Sequence, residues 1–430
     1  MLSIIRQALE KTNNIKRSTY LWNAINAGLS AAVCPVILIV MMRTNGAWDS
    51  GVFSIAFAVA SLMIFVGQYG IRRFQSSDIH EKYSFREYHC MRFITCGGMM
   101  AASLIYCIWA VIFRDYGPEK FAVVFLVCVL KGIQAYADVI HGHMQQKGRL
   151  DVAAKASAVR FLTEIVFFCA ALIVTGNLLI STAVCIAASF LCLMLTTMNT
   201  ARNYCDTLRP SISRDRFLRL LIDGFPLFVS LFLNMYISNA PKYAIDAYLT
   251  EEIQAYYNIL FMPAFAIQLV AYFIFNPILT TYAELWLSDK REDHRRLKRL
   301  ITRQCWLLLG LTLLAIAVAF TIGIPVLGFI YHTDLSAYRM DLCVLMIGGG
   351  MMAYGVFFST VITIIREQKY LLISYGVTSL AALVLAGYFV RNFQISGAVI
   401  LYTVLMSVLA VMLFIVMVIK LRKGRPKPVA

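Results

Sequence analysis

The sequence predicts an all-α polytopic membrane protein of about 12 transmembrane helices, six followed by six, and three observations carry that prediction. Of 430 residues, 60% are hydrophobic and 14% charged, with a mean hydropathy of +0.72, whereas a soluble domain carries about 25% charged residues. The apolar residues come in runs of about 20, the length a helix needs to cross about 30 Å of hydrocarbon. They do not alternate with the period of two that barrel strands require. Basic residues crowd every second connection between the runs, as expected of a chain threaded repeatedly through a bilayer.

Taken in order, the apolar runs place spans at 20–42, 52–71, 91–113, 121–140, 154–175 and 178–198, then at 217–238, 253–277, 305–327, 342–365, 371–390 and 398–419. Ahead of them, Leu2, Ile5 and Leu9 recur at helical spacing, so residues 1–16 read as an amphipathic interfacial helix. Arg6, Glu10, Lys11, Lys16 and Arg17 keep this stretch too polar for a cleavable signal peptide. The basic connection 199–216, which contains Pro210, divides the chain into halves at 1–205 and 206–430, the second ending in a basic tail. Connections 199–216 and 284–304 are the longest hydrophilic segments and are too short to be domains.

Orientation follows from Lys and Arg in short loops. The segments on the side of the N-terminus hold 32 of them, against six on the other side: Arg43, Arg114, Lys120, Lys242, Arg339 and Arg391. Both termini are therefore expected in the cytoplasm.

Several function classes are disfavoured. A formal charge of +16 would suit nucleic acid only on a soluble basic face, and no such domain is present. The eleven cysteines form no CxxC pair and lie mostly in apolar runs, so they read as small buried hydrophobes. There is no GxxxxGK[ST] or HExxH, and His141-Gly142-His143 lacks further ligands, so no catalytic, metal or cofactor site is assigned. The external connections 44–51, 114–120, 176–177, 239–252, 331–341 and 391–397 are too small for a polymerase or ligase acting outside the membrane.

The polar residues inside the spans mark the candidate working interior, because an ionisable group at mid-membrane costs about 2.5–3.5 kcal/mol on insertion scales. Lys131 lies near the centre of span four, and Gln134, Asp138, His141 and Gln145 follow on the same helical face, a stripe running to the cytoplasmic mouth. This stripe either lines a hydrated cavity or is a polar seam in which Asp138 neutralises Lys131. Arg160 and Glu164 in span five have the spacing of an i,i+4 ion pair. Span seven carries Asp223, Asn234, Asn239, Pro241 and Lys242; span eight carries Asn258, Pro263, Gln268 and Asn276-Pro277. Gly348-Gly349-Gly350 suits close helix packing or a bend. The candidate substrate-binding residues are Lys131, Gln134, Arg160, Asn234 and Gln268, and the candidate ion-coupling residues are Asp138 and Glu164.

The stretch from Phe225 to Trp286, above all Asn239-Ala240-Pro241-Lys242-Tyr243-Ala244-Ile245-Asp246, resembles the seventh and eighth spans of bacterial polysaccharide-biosynthesis membrane proteins. Gly70-Ile71-Arg72-Arg73-Phe74-Gln75-Ser76-Ser77-Asp78 is similar to the segment such proteins carry after span two. These are the Wzx-type flippases of the multidrug/oligosaccharidyl-lipid/polysaccharide exporter superfamily. The resemblance implies two six-helix lobes around a central cavity and a cargo of oligosaccharide on an undecaprenyl pyrophosphate carrier, moved across the bacterial cytoplasmic membrane for O-antigen or capsule synthesis. It implies membrane lipids and the glycosyltransferases or polymerase of the pathway as partners, with no nucleic acid. A few cations in the cavity would shield the anionic head group; Lys131 and Arg160 are placed to contribute by position, not by a family motif. A drug/cation antiporter of the same superfamily would share the architecture but favour carboxylates, and a membrane-bound polymerase or ligase is the enzymatic alternative.

Overall fold

Apolar segments bounded by hydrocarbon must satisfy their backbone hydrogen bonds internally, which a helix does within one segment. In the computed structural model, which describes residues 2–77, 82–205, 207–275, 278–288 and 290–423, all regular structure is helical. Asp78, Asn276-Pro277 and the tail beyond Lys423 lie outside the described residues. Within those residues, 11 helices or helix series are long and apolar enough to cross a membrane. The last of them, α16 (Lys369–Lys423), holds two of the predicted spans, because Gln394 leaves helical geometry at φ 50°, ψ −129°.

Pairing along α15 (Arg339–Ile364) shows that the chain reverses at Gln394: Ser396 bonds Asp341, Thr403 bonds the Val344 carbonyl and Lys420 pairs with Glu367. The second half of α16 thus runs parallel to α15. Gly397 permits the sharp return, since a Cβ there would sit 2.0 Å from the Phe389 carbonyl oxygen. The 391–397 connection expected from the sequence is a reversal inside a helix rather than a loop.

The chain divides into two compact units, Met1–Phe232 and Leu233–Ala430. The first holds α1 (Leu2–Glu10), α2 (Ile15–Thr44), α3 (Ala47–Gln68), α4 (Ile71–Ser77), α5 (Phe85–Phe113), α6 (Pro118–Gln146), α7 (Leu150–Thr175), α8 (Leu178–Leu193), a π-helical turn at Met194–Met198 and the short α9 (Asn199–Ala201). α6 lies centrally, packing on α3, α5, α7 and α8. α10 (Arg214–Tyr248) begins in this unit and crosses into the second. Its first turns pack on the break after α3, where Tyr69 adopts a left-handed conformation, stacks on Phe228 at 4.7 Å and donates to the Leu221 carbonyl. Gly70 continues the turn at φ +67° beneath Leu227.

α10 also outlasts its predicted span. It continues through Pro241 to Tyr248, leaving only Leu249-Thr250 of the expected 239–252 connection before α11 (Glu251–Phe275). Asn239 donates its side-chain amide to the Met235 carbonyl one turn back, while Pro241 offers no N–H to the Ile237 carbonyl. Likewise the basic stretch 291–304 is the start of α13 (Arg291–Val318), following α12 (Leu279–Leu287). A helix need not stop at the membrane face when its next turns are charged and solvated. α13 continues through a π-helical turn, Ala319–Gly323, into α14 (Ile324–Tyr331).

The three glycines of α15 organise the second unit. Successive helical positions point about 100° apart, and each glycine faces a different neighbour. An added Cβ would meet Tyr402 of α16 at 2.7 Å from Gly348, the Ala264 carbonyl of α11 at 2.7 Å from Gly349, and Thr312 of α13 at 2.4 Å from Gly350. Missing side chains at three consecutive positions let three helices approach one axis.

The amphipathic N-terminal helix docks on protein as well as presenting a surface. Leu9 and Ile5 join a core cluster with Tyr83, Tyr88, Ile140 and Met144, while Ile4 remains exposed. Lys155 donates to the carbonyls of Leu9 and Lys11, and Arg149 to that of Glu10, so two cations satisfy the end of α1 where carbonyls lack helical partners.

Candidate functional site

The polar centre of the first unit is built on the inward face of α6. Lys131 is half-buried; its ammonium donates to Gln134 Oε1 at 3.2 Å and sits 4.4 Å above the Phe57 ring of α3. Among the described residues, no carboxylate lies within ion-pairing distance of it. The Arg160–Glu164 pair of α7 is within electrostatic reach, as are the thiols of Cys34 and Cys185.

Arg160 and Glu164 form the i,i+4 ion pair their spacing suggests, with both side chains 3% exposed. Ser189 of α8 donates to the same carboxylate oxygen at 2.8 Å, and Cys185 donates to the Glu164 carbonyl. Arg160 also stacks its guanidinium over Phe161, while its Nε has no partner. A buried charge of either sign is thereby held by one counter-charge and a hydroxyl, the condition under which burial of a pair is tolerable.

Asp138 is not the partner of Lys131. Its two carboxylate oxygens go to Arg72 of α4 at 3.2 Å and Arg92 of α5 at 3.0 Å. Arg92 and Thr95 also donate to the Gly67 carbonyl at the end of α3, and Arg72 reaches Gln145. This knot ties the ends of four helices together. Farther along the stripe, His141 contacts Thr197 at 3.1 Å and Ser157 at 3.3 Å, and Thr197 belongs to the π-helical turn after α8. Asp138 and His141 are buried with their polar atoms engaged by protein, so the lower stripe is packed rather than a hydrated route. Lys131 and Gln134 keep partly open positions, bonded to each other, with the Phe57 ring beside the ammonium.

Asn234 and Gln268 belong to the second unit. Asn234 is half-buried on α10, its backbone carbonyl accepting from Ser238. Gln268 on α11 has a buried side-chain oxygen without a partner, an acceptor that costs about 1–3 kcal/mol unless water or a ligand reaches it. Among the described residues, no group of three or more His, Cys, Asp or Glu is placed to hold a metal; His143 bonds Gln146 and the Tyr204 carbonyl instead.

Sequence reading gave Arg92 no role; it is fully buried inside α5. A usable signal was present. Ser84 and Glu87 form a reciprocal capping box that starts α5 at Phe85, placing Arg92 two turns inside. No comparable signal marks Ser189 or Thr197.

No protein-family model matches the chain, and no curated protein matches it. Solved structures do. An inward-facing multidrug-resistance MATE-family transporter of the MOP superfamily, 15% identical, superposes with a TM-score of 0.68 over 95% of this chain and 100% of its own. A MATE protein in a bent conformation, 15% identical, gives 0.55 over 98% and 97%. A MOP-superfamily transporter from Pyrococcus furiosus, whose binding pocket has a reversed polarity suggesting a different function, is 16% identical and gives 0.55 over 97% and 98%. The chain therefore has the fold of these transporters.

Proposed function

We propose that this chain is a multi-pass exporter of the bacterial cytoplasmic membrane, with both termini inside, that flips oligosaccharide repeat units on undecaprenyl pyrophosphate to the outer leaflet. Export is supported by the shared fold with MATE transporters. The cargo's sign is supported by one observation: the first unit seals its carboxylates Asp138 and Glu164 in pairs with arginines, yet leaves the Lys131 ammonium facing only Gln134 and an aromatic ring. A half-buried cation with neutral partners attracts a phosphate oxygen; a sealed carboxylate offers little to a cationic drug. The Pyrococcus transporter with reversed pocket polarity illustrates that this fold does not dictate one charge of cargo. Lys131 and Gln134 would take the head group and Arg160 would act from behind; Asn234 and Gln268 are the neutral polar candidates of the second unit for sugars, and ion coupling through Asp138 or Glu164 would require an arginine pair to open.

The test is export of the lipid-linked polymer with the protein still inserted. Lys131→Arg should retain most export, and Lys131→Gln and Lys131→Glu should lose it. Parent-like export by Lys131→Met would end the cationic-site reading. The second reading, a drug/cation antiporter, is favoured by the multidrug-resistance neighbour; it predicts that expression raises resistance to cationic drugs and that Lys131→Gln does not lower it.

A further inference from the structure

A second basic site lies on the first unit, away from Lys131. The segment that starts α5 and the segment that starts α10 are joined where the Ser211 N–H donates to the Arg86 carbonyl at 3.3 Å. Between them is a cavity of about 420 Å³ whose polar lining is Lys82, Ser84, Arg86, Glu87, Ser211, Ser213 and Arg216. Two of the lining cations, Lys82 and Arg216, each sit 5.2 Å from the buried Tyr83 ring.

The charges there are unevenly committed. Glu87 is occupied by Arg216 at 2.6 Å and by the Ser84 N–H and hydroxyl. Lys82 makes a long, exposed pair with Asp223 at 3.4 Å. The Arg86 guanidinium is exposed and has no described partner. Two of the three lining cations already have a carboxylate, and the exposed Arg86 guanidinium with the Ser211 and Ser213 hydroxyls completes a donor set suited to phosphate oxygens.

The position argues for a lipid phosphate. Arg86 shares one face of α5 with Phe93, Gly97 and Leu104, at spacings of 7, 4 and 7, and all three are exposed. An exposed apolar face on a spanning helix meets hydrocarbon. Two turns separate Arg86 from Phe93, about 10 Å along the axis, which puts the guanidinium in the headgroup layer. A Cβ at Gly97 or Gly98 would meet nothing within 4 Å, so that face of α5 is open there.

We propose that this cavity binds the phosphate of an anionic membrane phospholipid, with its chain along the Phe93–Gly97 face, pinning the start of α5 to the start of α10. The inference is independent of the cargo.

The experiment measures binding to the purified full-length chain in detergent, using dihexanoyl phosphatidylglycerol, dihexanoyl phosphatidylcholine and soluble glycerol phosphate as probes. Phosphatidylglycerol should bind most tightly, and Arg86→Gln should weaken it about tenfold, the loss of one charge-assisted hydrogen bond. Arg86→Lys should restore part of the loss. Arg299→Gln, which removes an equal charge from an exposed position on α13, should leave it unchanged. Equal weakening by Arg299→Gln would mean diffuse attraction and overturn the site. Glycerol phosphate binding as tightly as the lipid would overturn the membrane source.

Discussion

Arg92 holds Asp138 from a position with no solvent exposure, its Nη2 lying 3.0 Å from the carboxylate while Nη1 donates to the Gly67 carbonyl near the end of α3. Two arginines share this one aspartate, so its removal leaves two cations without a counter-charge, one fully buried. Asp138→Asn should therefore lose about 3–5 kcal/mol, seen as a lower melting midpoint of the detergent-solubilised protein. Lys131→Gln, with only neutral partners, should melt like the parent. Parent-like melting of Asp138→Asn would mean that the knot is not a structural tie.

The glycine hub makes a contrast within one helix. A Cβ at Gly349 meets backbone of α11, which cannot rotate away, whereas Gly355 has nothing within 4 Å. Gly349→Ala should cost about 1–3 kcal/mol through overpacking; Gly355→Ala should gain up to about 1 kcal/mol in helix propensity. Thermal unfolding of the two variants side by side decides it.

Docking of α1 depends on Lys155 and Arg149 at its carbonyl end. The double change Lys155→Met with Arg149→Met should release the helix and expose Leu9 to limited proteolysis. The parent should resist cleavage there. Unchanged protection would assign docking to the apolar contacts alone.

Orientation is open to labelling. Ser213 and Thr250 are both exposed and flank α10 at opposite ends. Single cysteines at these positions in a cysteine-free background should react oppositely with an impermeant thiol reagent applied to intact cells, Thr250 labelled and Ser213 silent. The reverse pattern would invert the topology.

The helical class, the number of crossings and the approximate position of each span were legible in the sequence, because hydrocarbon leaves the backbone one local way to satisfy itself and each span must declare its own length in apolar residues. The Arg160–Glu164 pair was legible for the same reason: its partners lie four residues apart on one helix. Span ends were less so. Past the membrane face, charged turns such as the start of α13 are as good helix as loop, and the reversal at Gln394 rests on a glycine meeting a carbonyl eight residues earlier. The partners of Asp138 were beyond reach, since they lie 66 and 46 residues away and only helix packing brings them to the same carboxylate. A stripe on one helix says which groups share a face; which of them stay open to a ligand is decided by what the neighbouring helices carry to meet them.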